Sequence, residues 1–84
     1  MLKITTHAHP ACTRLQLEGS LAGPWRDELH RQFQSAARPI QLDLAGITFM
    51  DQEGSQLIQT LVSQGATITA ISHFAALMLR QESN

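Results

Sequence analysis

A chain of 84 residues is too short for two separately closed cores, so one domain over residues 1–84 is expected. Its 43% of hydrophobic residues are mostly aliphatic, with three Phe, one Trp and no Tyr, which argues against an aromatic platform for single-stranded nucleic acid. Six Lys and Arg against seven Asp and Glu give a net charge of −1, which argues against a broad basic surface for duplex DNA.

From the N-terminus, Leu2 and Ile4 alternate with Lys3 and Thr5, and after a His7-Ala-His-Pro-Ala11 turn region Leu15 and Leu17 alternate with Arg14, Gln16 and Glu18. Period two is the signature of half-buried strands, here two that can form a hairpin. Gly19 and Gly23 are expected to bracket a loop, and Pro24 suits a first helical residue, where the missing amide hydrogen costs nothing. Trp25, Leu29 and Phe33 then recur every fourth residue on one helical face, with Asp27 and Glu28 in the first turn, where carboxylates oppose the helix dipole. Pro39 is expected to end this helix. Ile40, Leu42 and Leu44 alternate as a third strand, followed by an expected turn at Ala45-Gly46 and a short apolar run, Ile47 to Met50. Asp51 is the expected cap of a second helix with Leu57, Ile58, Leu61 and Val62 on one face, stopped by Gly65. Thr67 to Ile71 reads as a fourth strand. Ser72 is the expected cap of a last helix in which Phe74, Leu77 and Met78 share a face.

Two strand–helix–strand units in succession predict an α/β fold with a mixed sheet of four to five strands. A parallel sheet covered on both faces reads as unbroken apolar runs, whereas all four strands here alternate. The helices are therefore expected mainly on one face. Lys3, Thr5, Arg14, Gln16, Glu18, Gln41, Asp43, Thr67 and Thr69 would line the other, which meets water or a partner.

The remaining chemistry-bearing residues form weak patterns. His7 and His9 could present two imidazoles from alternate strand positions, but His30, His73, Cys12 and Asp51 are scattered without ligand spacing, so no metal or cofactor is expected. Gly19-Ser-Leu-Ala-Gly23 lacks the spacing of a nucleophile elbow and the length and lysine of a phosphate loop. So small a domain also has little room for a catalytic pocket, and an enzyme is not expected. The single Cys12 cannot form an internal disulfide, and a free thiol suits the reducing cytoplasm. No stretch approaches the roughly 20 apolar residues of a membrane span, so direct membrane insertion is not expected.

The most informative segment is Leu42-Asp-Leu-Ala-Gly-Ile-Thr-Phe-Met-Asp-Gln-Glu-Gly54: an apolar strand ending Asp-Leu-small-Gly, an apolar triplet around Thr48, then Asp-x-x-Gly opening an amphipathic helix. It resembles the STAS domain, the fold of anti-sigma factor antagonists. Upstream, Leu17-Glu-Gly-Ser-Leu-Ala-Gly-Pro-Trp-Arg-Asp-Glu-Leu29 resembles the family's strand, loop and first helix. Downstream, Gly65-Ala-Thr-Ile-Thr-Ala-Ile71 resembles the strand after its central helix.

The resemblance implies a non-enzymatic interaction module that docks a protein through the loop Asp51, Gln52, Glu53, Gly54 and Ser55 and the following helix, with Trp25 as a further contact. Antagonists of this family bind a partner that is both anti-sigma factor and serine kinase, and phosphorylation of a serine in an Asp-x-Ser-Gly loop ends the binding. Here Asp51 and Gly54 match, but Glu53 stands at the serine's position and cannot be phosphorylated. Glu53 is then either a fixed partial mimic of the phosphorylated state or part of a surface whose partner never required the switch. The second is favoured, because a permanently silenced antagonist has no evident use. A purely structural account of Glu53 is also available, as a first-turn acid worth about 0.3–1 kcal/mol. Ser55 and Thr48 flank the loop without support from the family pattern. Other STAS proteins serve as accessory subunits of lipid-transport ABC complexes, with an ATPase as partner, and some are thought to bind nucleotides. No nucleic-acid partner is expected, and a homodimer is compatible with the sequence.

Overall fold

The structure, a computed structural model, describes residues 1–82. Ser83 and Asn84, the last residues of the expected domain, lie outside the described residues. The elements run β1 (Leu2–Ala8), β2 (Thr13–Leu21), α1 (Trp25–Ser35), β3 (Ile40–Met50), α2 (Gln52–Ser63), β4 (Thr67–Ile71) and α3 (His73–Glu82). The strands form one sheet in the order β1-β2-β3-β4, antiparallel at β1–β2 and parallel at β2–β3 and β3–β4. Spatial order thus equals chain order. Two right-handed crossovers stepping in the same direction leave their helices on the same face of a sheet, which is why the strands alternate. Leu2, Leu15, Leu17, Ile40, Leu42 and Leu44 are buried beneath the helices with Leu29, Phe33, Ile58, Leu61 and Ala75. The accessible surface of 4810 Å² matches the roughly 5,000 Å² that scaling assigns to a folded chain of this mass.

The opposite face carries the expected polar rows. Lys3 sits across from Glu18, Thr5 from Gln16 and His7 from Arg14 in the β1–β2 register, and Arg14 and Gln16 lie beside Gln41 and Asp43 of β3. Thr67 follows beside Gln41, whereas Thr69 falls in a register irregularity and donates its hydroxyl to the Leu42 carbonyl at 3.4 Å. His7 contacts the Gln16 side chain at 3.0 Å. β1 ends at Ala8, so His9 belongs to the turn, where its amide donates to the Cys12 carbonyl, and the two imidazoles do not occupy alternate strand positions.

Four local expectations need correction. Gly19 to Leu21 is strand, not loop: β2 continues to the buried Leu21, and Gly19 absorbs a bulge at φ +103°, a left-handed conformation that glycine tolerates. There is no turn at Ala45-Gly46. β3 runs unbroken to Met50, and the register slips twice, each time with one extra residue on β3, between the partners of Gln16 and Glu18 and between those of Gly19 and Ser20. Each bulge resets the pleat, so the buried side chains after Leu44 are Ile47 and Met50, spaced by three rather than two. α1 ends at Ser35, before Pro39, because the four-residue stripe that ends at Phe33 next meets only the exposed Ala37. In α3 the buried side chain is Ala75, with Phe74, Met78 and Leu79 partly buried, while Leu77 is 44% exposed; in α2 Val62 is exposed and Leu57 only partly buried.

Candidate functional site

Parallel strands β2 and β3 end side by side, and α1 and α2 begin just beyond them. Asp51 holds this junction together. As the cap of α2, its Oδ1 accepts from the Gly54 amide at 2.6 Å, satisfying an amide that the helix leaves unpaired. Its Oδ2 accepts from the Gly23 amide, before α1, at a long 3.5 Å, and its own amide donates to the Leu21 carbonyl at 3.4 Å. Asp51 thereby ties the entrance of α1 to the start of α2 through its carboxylate, and the end of β2 through its backbone amide. α1 has no side-chain cap of its own, and its first amides turn back to the Ala22 and Gly23 carbonyls.

Gly54 is buried, and a Cβ there would stand 2.4 Å from the Leu21 carbonyl oxygen. The first turn of α2 therefore rests directly on the β2 backbone. Only a glycine permits so close an approach, which fixes the height of the loop over the strand ends.

Gln52 and Glu53 are exposed, and Glu53 forms an ion pair with Arg26 in the first turn of α1. Ser55 lies elsewhere: it is 0% exposed, and its hydroxyl makes no hydrogen bond. It presents nothing to a partner and no phosphate acceptor to a kinase acting on the folded chain. Trp25 is half-buried against the core, so its indole serves packing first.

Two residues of this edge escape sequence reasoning. Arg26 becomes visible as Glu53's counter-ion only once α1 and α2 start side by side. Phe49, read as part of an apolar run, is 47% exposed and stacks on Phe74 with ring centroids 5.9 Å apart. The second bulge turns Phe49 outward, and no periodicity in the sequence marks that bulge. Ser72 ties α3 to the same edge, donating to the Ile47 carbonyl at 2.7 Å and accepting from the Ala75 amide at 3.1 Å, as the expected cap should.

Among the described residues no group of three or more His, Cys, Asp or Glu side chains gathers where it could hold a metal ion. Among the described residues no helix is long and apolar enough to cross a membrane. Two grooves on the surface are lined by residues of α2, β4 and α3, and neither includes any of residues 51–55. Compared with known proteins, the chain matches no family model and none of the curated proteins.

Proposed function

We propose that this chain is a non-enzymatic, cytoplasmic protein-interaction module of the STAS type, which docks a regulatory protein through the ridge made by the starts of α1 and α2. The observation that carries this reading is the junction itself: Asp51 braces the Asp-x-x-Gly turn against the entrance of α1, leaving Gln52 and Glu53 exposed, and Phe49, near the end of β3, is also exposed. Exposed aromatic residues and arginines are enriched at interface hot spots, and both stand at this end of the molecule. Glu53 is paired with Arg26, which neutralises its charge locally and favours a constitutive contact surface over a permanent mimic of phosphate. A phosphate would carry about −1.5 to −2 charges, more than one guanidinium offsets.

The test is affinity capture from the native cytosol with wild-type chain, Glu53→Arg and Phe49→Ala. The expected result is one regulatory protein retained by wild type and bound at least about tenfold more weakly by either variant, as truncation of a central aromatic or reversal of a rim charge predicts. Recovery of an anti-sigma factor of the serine-kinase type supports the antagonist role, and recovery of an ABC ATPase makes the chain an accessory subunit instead. Retention of every associated protein by both variants would sink the docking site. Such a kinase is expected to leave wild type unmodified and to phosphorylate Glu53→Ser at the exposed position, read by mass spectrometry. Phosphate found at Ser55 or Thr48 of the native protein would contradict this.

A further inference from the structure

We draw no further inference here: the strongest candidate, the groove of about 510 Å³ between β4 and α3 lined by Ile71, His73, Ala76, Leu77, Leu79 and Arg80, carries none because nothing in the structure shows what covers it.

Discussion

Two edges of the same sheet are built on opposite principles. At the ends of β2 and β3, polar groups are used closely: one carboxylate serves the Gly54 and Gly23 amides, Glu53 pairs with Arg26, and a glycine lets α2 rest on the Leu21 carbonyl. Along α2, β4 and α3 there is an open strand edge, a run over residues 54–79 without Lys, Arg, Asp or Glu, and the three exposed aliphatic residues Val62, Ile71 and Leu77. The first edge is rigid because its backbone amides have fixed partners, and substitutions there should act on stability. At the second, Ala75 is buried and Ile68, Phe74, Met78 and Leu79 pack against the core, but the exposed side chains of Val62, Ile71 and Leu77 take little part in the fold, and substitutions at these three should leave the stability of the chain nearly unchanged.

The largest expected effect falls on the first edge. Gly54→Val drives a branched side chain into the Leu21 carbonyl and should destabilise the chain by about 3 kcal/mol, well above the helix-propensity gain of losing a glycine. Thermal unfolding should show a fall in Tm of more than 10 °C, at about 4–8 °C for each kcal/mol in a domain of this size. Asp51→Ala removes the cap of α2 and should cost about 1–2 kcal/mol in urea denaturation, whereas Asp51→Asn should recover most of the loss. At the second edge, Leu77→Ser should change the stability of the dilute single chain by less than about 0.5 kcal/mol. A loss there as large as that of Asp51→Ala would erase the contrast between the edges.

The smallest effect lies beside the first edge, on α1. The Glu28 carboxylate accepts from Arg31 at 2.6 Å and from Gln32 at 3.0 Å, and these hydrogen bonds hold its pKa below the usual 4.5. The stabilisation it contributes is complete above pH 4.5, the value in the unfolded chain, and is lost as pH falls through the lower value of the folded state. Stability of the wild type should therefore fall slightly more than that of Glu28→Gln across this acidic window. Arg31, whose own pKa the same pair raises, keeps its charge throughout. Equal acid sensitivity of the two proteins would remove Glu28 from the account.

Much of the fold was legible because each element signals itself locally. Period-two alternation in β1 and β2, the stripe of Trp25, Leu29 and Phe33, and the caps at Asp51 and Ser72 are all short-range features. Gly54 was legible as the glycine of the Asp-x-x-Gly pattern, whereas the Leu21 carbonyl it lies against was not. The bulges of β3 were not. Ala45-Gly46 has the composition of a turn, and only pairing with β2 carries the strand through it. The same tertiary effect turned Phe49 outward, buried Ser55 and brought Arg26 to Glu53.

By itself, the sequence determined the order and type of the elements, the one-sided sheet and the Asp-x-x-Gly turn, because backbone hydrogen bonding and hydrophobic period act over a few neighbouring residues. It also determined, as bare composition, that no charged side chain stands between Glu53 and Arg80. Only the tertiary structure decided which residues of the loop face outward, which charge answers Glu53, and that Leu77 and Arg80 of α3 line one groove with Ile71 of β4. Those outcomes depend on distances between segments far apart in the chain, set by strand register and by how closely a helix can approach a sheet.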